Sequence, residues 1–274
     1  MASSNKPSRG HVIACSHGAG PLVLLGADHQ QPLIGVLEQE RPLLDNAQGI
    51  ILFTAHWETD EPTISAAAQH ELLFDYPKTL PQEAFEVTYP APGHPQLARK
   101  IEQKLEAFGF KPQLDHERGW DHGVFVPMTY LRPQADLPIV QMSVLKTQDA
   151  ETHIRMGQAL GSLRDEGFAI VCSGSSFHNL NEMMSSIKNK VSVPGDNHGF
   201  EAALEAAMMI PDAAVRLEKL KNWRTFPNNE FIHPPKHAEH FMPFMVAAGA
   251  GAPDMTTKGR TWNLYGADFS TYSW

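Results

Sequence analysis

Four short apolar runs stand out along the chain, at residues 11–15, 49–55, 139–144 and 168–172. Each is rich in Val, Ile or Phe, too short for a helix, and followed by polar or glycine residues, which is the pattern of strands buried on both faces. Amphipathic stretches lie between them. Over residues 95–108, Leu97, Ile101, Leu105 and Phe108 share one helical face, and Gly109 stands where a helix ends on a left-handed residue. Residues 150–166 repeat the device with Ile154, Met156, Leu160 and Leu163, closing at Gly167. Alternating strands and helices predict a single α/β domain over residues 11–274, after a polar tail over 1–10. Its central sheet is expected to be mainly parallel or mixed and flanked by helices, with a metal or ligand site at the carboxyl ends of the strands.

The later part reads differently. Residues 200–209 and 213–223 predict two helices, and residues 235–248 a third with Phe241, Phe244, Met245 and Ala248 on one face. The stretch 76–95 holds Pro77, Pro81, Pro90, Pro92 and Pro95 and is too long for a mere connection, so it predicts a functional or flexible loop.

Composition acts mostly by exclusion. Hydrophobic residues at 42% and charged residues at 19% supply a core and exclude disorder. A net charge of −9 without a basic run excludes nucleic acid as a partner. Cys15 and Cys172 alone build no disulfide framework, which points to a reducing compartment. No apolar stretch approaches the roughly 18 residues of a membrane span, so no membrane partner is expected, and the polar start lacks a targeting core. The expected location is the cytoplasm.

The histidines carry the chemistry. Three stand at predicted strand exits: His17 in Ser16-His17-Gly18, His56 in Ala55-His56-Trp57, and His178 a few residues past Cys172. In a parallel sheet such exits converge on one crevice. A lone histidine is ordinarily a surface or core residue, but several neutral imidazoles converging make a metal site with open positions. Lys236-His237-Ala238-Glu239-His240 offers a fourth candidate; on a helix, His237 and His240 would share a face. His233 precedes two prolines and reads as an ordered loop residue. Gly174-Ser175-Ser176 lacks the nucleophile elbow of serine hydrolases, and Ser16-His17-Gly18-Ala19-Gly20 lacks the Gly-Lys-Ser/Thr end of a phosphate loop. Its glycines fit a tight turn beside a metal.

Several motifs fall in a familiar order: Ser16-His17-Gly18, Ala55-His56-Trp57-Glu58-Thr59, Tyr89-Pro90-Ala91-Pro92-Gly93, Asp121-His122-Gly123, Ser173-Gly174-Ser175-Ser176-Phe177-His178-Asn179-Leu180 and Ala238-Glu239-His240-Phe241-Met242-Pro243. Together they resemble the class III extradiol ring-cleavage dioxygenases of the LigB superfamily, nearer the DOPA 4,5-dioxygenase-like branch. The resemblance implies His17, His56 and His240 as metal ligands, His178 as the acid/base residue and His122 as a histidine near the substrate oxygens. His240 is preferred to its rival His237 because the residues around it match the family's local pattern. Two departures stand beside this. Residues 73–81 lack the glycine-containing pattern of many relatives, and the stretch between His233 and His240 is longer by two residues.

The implied reaction is cleavage of a catechol-type ring by O2, with Fe(II) as the active metal and Zn(II) able to occupy the site, giving a muconic semialdehyde-type product. The partners are then a small aromatic diol and O2, and a homo-oligomer is compatible with the sequence. Trp120, Phe177 and Tyr76 are the aromatic candidates for stacking on the substrate. Two rival readings use the same histidines: a zinc-dependent hydrolase, and a non-enzymatic metal- or ligand-binding protein of the same fold.

Overall fold

In the computed structural model, which describes residues 7–195 and 197–274, ten strands and ten α-helices follow one another along the chain. The strands are β1 (Val12–Ser16), β2 (Gly49–Thr59), β3 (Thr63–Ser65), β4 (Gln113–Asp115), β5 (Ile139–Leu145), β6 (Phe168–Gly174), β7 (Thr257–Lys258), β8 (Trp262–Leu264), β9 (Ala267–Phe269) and β10 (Tyr272–Ser273). The helices are α1 (Pro21–Leu24), α2 (Gln31–Glu40), α3 (Pro95–Ala107), α4 (His122–Leu131), α5 (Ala150–Leu160), α6 (Leu180–Asn189), α7 (His198–Met208), α8 (Ala213–Lys221), α9 (Asn229–Ile232) and α10 (Met242–Gly251).

Eight strands form one mixed sheet in the order β4-β3-β5-β2-β6-β1-β10-β7, and β8 and β9 form a separate hairpin. The four central strands are the apolar runs read from the sequence, and they are mutually parallel. β3 enters antiparallel to β5, and β10 closes antiparallel to β1. The parallel strands have no face left for water, because helices cover the sheet: α10 lies against β1 and β6 with α5 beside it, and α4 against β2 and β6. Two glycines let α5 and α10 touch backbone to backbone. A Cβ on Gly157 would stand 2.0 Å from Val246 O, and one on Gly249 2.0 Å from Ile154 O.

The predicted helices over 95–108, 200–209 and 213–223 are α3, α7 and α8, with ends shifted by a residue or two. Residues 150–166 form α5 and then a 3-10 turn over Gly161–Glu166, closing at Gly167 with φ +88°. The helix expected over 235–248 is corrected. Pro234 and Pro235 open a turn in which Lys236 adopts φ +67°, a 3-10 turn covers Glu239–Phe241, and the α-helix starts only at Met242. Of the expected polar tail, residues 1–6 lie outside the described residues, and 7–10 lead into β1 without regular structure. Among the described residues no helix is long and apolar enough to cross a membrane. Both thiols are buried, and burial, reinforced by Glu40, pushes Cys15 up to about 12.

α7 buries a carboxyl. Glu201 accepts a hydrogen bond from Ser270 Oγ at 2.5 Å, yet burial outweighs its hydrogen bonds and pushes its pKa up to about 7, against an ordinary 4.5. The folded chain therefore binds this proton more tightly than the unfolded chain. The resulting stabilisation is complete below the unfolded value and is lost as pH rises through the folded one, on the order of 3 kcal/mol over that window. Glu201→Gln is expected to flatten the fall in unfolding free energy between about pH 5 and 8, measured by urea denaturation. An unchanged slope would assign the fall to other groups.

Candidate metal centre and active site

Three neighbouring strands deliver the site. His17 follows β1 directly, and Gly18 next to it adopts φ +68° to turn the chain. His56 sits in β2 where the ladder to β5 slips between Thr54 and Glu58, so residues 55–57 bulge out at the rim. His240 lies in the turn before α10 and is tied to the end of β6, since Ser175 N donates to His240 O at 2.7 Å. The approach is close enough that a Cβ on Gly174 would stand 2.2 Å from that oxygen.

The imidazoles meet through Nε2. His56 Nε2 lies 3.1 Å from His17 Nε2 and 3.3 Å from His240 Nε2. Two nitrogens bound to one ion at about 2.0–2.1 Å stand roughly 2.9–3.4 Å apart, so the spacing fits a shared ion. The outer nitrogens are occupied as a metal site requires. His17 Nδ1 meets Ser173 Oγ at 2.9 Å, His240 Nδ1 meets Glu239 Oε1 at 2.8 Å, and His56 Nδ1 faces Asp75 Oδ2 at 3.4 Å. With Nδ1–H directed outward, each Nε2 keeps its lone pair for the centre. Burial, and then the neighbouring histidines, holds all three well below the ordinary histidine range, which keeps them neutral, the form a metal ion needs. The residues present fit a metal ion.

Two more histidines flank this triad. His122, the first residue of α4, donates from Nδ1 to Asp75 Oδ1 at 2.7 Å, and its backbone N–H donates to the same oxygen at 3.0 Å. Burial alone would raise Asp75, but these bonds and the adjoining histidines outweigh it and hold the carboxyl below its ordinary value. His178 stacks on His240, with ring centroids 3.4 Å apart, and its Nδ1 lies 3.5 Å from Glu239 Oε1. Burial, then His237 and His122, brings its pKa down to about 4. All five histidines line one cavity of about 710 Å³.

Not every sequence candidate reaches that cavity. Tyr76 lines it, with its hydroxyl donating to Ala84 O. Trp120 and Phe177 do not, and the expectation that they stack on substrate is corrected. Trp120 is fully buried against His70 and its backbone pairs with Glu71 and Leu73; Phe177 is fully buried beside Phe231 and Phe269. Both are large apolar side chains beside a site motif, and core packing claims them. His237 is exposed in the turn and belongs to none of the convergent ligand groups found among the described residues, although it is near enough to His178 to lower its pKa. His233 is buried with Nε2 on Ser176 O at 2.8 Å, bracing the backbone ahead of His178.

Asp75, Glu239 and Ser173 are orienting groups that the sequence pattern does not single out. Glu239 had a signal, since it adjoins His240; Asp75 lies in an aperiodic loop and had none. Asp121 of the Asp-His-Gly motif is buried and accepts from Thr54, Arg118 and Gln141, so it anchors the start of α4 beneath His122. Removing a group that orients ligands typically costs 10–100-fold in metal affinity or activity. Asp75→Asn is expected to lose about that much, read by metal titration alongside oxygen uptake. Wild-type values in both would deny Asp75 an orienting role.

A mixed α/β sheet with histidines clustered beyond the ends of its parallel central strands is a scaffold that fits a metal-site enzyme. Residues 12–271 match the family model described as the catalytic LigB subunit of aromatic ring-opening dioxygenase, and the chain belongs to that family. It is a ring-cleavage dioxygenase, acting on an aromatic substrate with O2. It is 42% identical to dioxygenase tasH of Hapsidospora irregularis, over 96% of this chain and 85% of that one. It is 34% identical to 4,5-DOPA dioxygenase extradiol of Portulaca grandiflora, over 82% and 81%. An uncharacterized protein of Escherichia coli K12, JW3007, shares the fold with a TM-score of 0.74 at 24% identity, over 97% of this chain and 99% of that one. The hydrolase and pure-binding readings give way to the ring-opening class.

Proposed function

We propose that this chain is an iron(II)-dependent extradiol dioxygenase that opens a catechol-type ring next to its diol, giving a muconic semialdehyde-type product. The observation that carries this reading is the convergence of His17, His56 and His240 through Nε2, with His178 and His122 on the same cavity. Three neutral nitrogen ligands leave coordination positions open for small oxygen donors. Iron(II) held there would gather the catechol oxygens and O2 in one place and carry charge between them.

The remaining work falls to this chain's side chains. His178 takes the second hydroxyl proton on Nε2, since its Nδ1 faces Glu239. It later returns that proton from Nε2 to an oxygen of the opening ring. His122, fixed by Asp75 through Nδ1, turns its other ring nitrogen to the cavity, where it accepts a hydrogen bond from a substrate hydroxyl and, once it has taken up that proton, donates to an oxygen-derived anion. Both atoms of O2 enter the product, so the reaction balances without an external reductant. Anaerobic loading with iron(II) or zinc(II), followed by air and a catechol, tests the reading. Oxygen uptake and a yellow product with iron alone are expected; uptake with zinc alone, or with neither, would overturn it.

A further inference from the structure

Beyond the histidines, the cavity has a one-sided chemistry. α6 turns Leu180, Met183, Met184 and Ile187 onto it, the i, i+3, i+4, i+7 spacing of a single helical stripe. Leu180 is 55% exposed and Met184 49% exposed. Large apolar side chains grouped and open in this way mark a surface that something apolar covers. Leu22 and Leu80 add further apolar side chains to the lining. The charged groups on the cavity are the carboxyls Glu58, Asp75 and Glu239, and no Lys or Arg lines it among the described residues. Lys78 and Lys188, each next to a lining residue in sequence, are exposed and outside the lining, and Arg118 is held by Asp121 and the face of Trp57.

Resting on the reading of the site as an extradiol centre, we infer that the substrate is a catechol carrying a sizeable apolar substituent and no carboxylate. A diol bound at the histidines projects its substituent along the α6 wall, where Leu180 and Met184 gain an apolar cover. A carboxylate placed there would lose its hydration, meet carboxyls of its own sign, and find no cation to pair with. The volume agrees. About 710 Å³ is the size of a pocket for a drug-sized ligand, well beyond a single six-membered ring.

The test compares unsubstituted catechol, 4-hexylcatechol, 3,4-dihydroxybenzoate and DOPA as substrates of the iron(II)-loaded protein. It also measures their anaerobic binding to the zinc-loaded protein by calorimetry. Oxygen uptake should give 4-hexylcatechol a kcat/KM at least about tenfold above catechol, with both carboxylated catechols at or below catechol. Binding should follow the same order. Met184→Lys should narrow the hexyl-to-carboxylate ratio at least about tenfold, because it puts a cation on an exposed wall position. A carboxylated catechol equal to or better than 4-hexylcatechol in the wild type, or a ratio unmoved by Met184→Lys, would overturn the inference. Should no catechol support oxygen uptake, the extradiol reading fails, and the calorimetric order still decides the character of the wall.

Discussion

His17→Ala and His56→Ala are each expected to lose the bound metal and, with it, ring-cleaving activity down to the level of metal-free protein. The two residues supply Nε2 atoms 3.1 Å apart, and removing either would leave an ion there two of its three proposed protein ligands. Neither change should collapse the fold, because both side chains stand at the rim of a sheet whose apolar strands run below them. Elemental analysis of purified protein checks the first part and far-ultraviolet circular dichroism the second. The same measurement separates the two histidines of the 236–240 segment. His240→Ala should lose metal, whereas His237→Ala should keep it, since His237 is exposed in the turn and His240 is buried in the cluster. Full metal occupancy in His17→Ala or His56→Ala would remove that residue from the centre.

His178→Ala should behave otherwise, retaining iron(II) and catechol binding while turning over more slowly. Its ring lies flat on His240, and its Nδ1 faces Glu239, so it stands beside the triad rather than within it. General acid–base residues typically contribute about 10²–10⁴-fold, and a loss of kcat in that range is the expectation. Single-turnover measurements with preloaded iron read the effect without interference from metal loss. Loss of iron in this variant would make His178 a ligand, and wild-type turnover would strip it of the proton-transfer role.

The four central strands were legible because a parallel strand covered on both faces must be a short unbroken apolar run. The edges were not: β3, β4, β7 and β10 have two or three residues each, too few for any period to show. α4 escaped notice for a different reason. From His122 to Met128 every residue is buried, so it has no polar face to reveal a helical repeat. α10 is buried along its whole length, and its apolar residues therefore said nothing about where it began. The start was decided instead by two prolines and the left-handed Lys236. Histidines at the strand ends could be picked out from position and motif. Their orienting partners could not, because Asp75 comes from a loop whose path depends on contacts with residues 120–122, far along the chain.

The site draws on two kinds of scaffold. The triad and its orienting serine hang from strand ends and a helix start locked into the buried sheet, whereas α6, which carries the apolar wall, lies at the surface with only Met183 and Ser186 fully buried. Substrate range and metal chemistry are thereby separable traits. On the proposed assignment, a few codons in the α6 segment would retune which ring is accepted while the strand ends proposed to hold the ion remain untouched, so a library confined to Leu180, Met184 and Ile187 is a direct route to variants with new appetites.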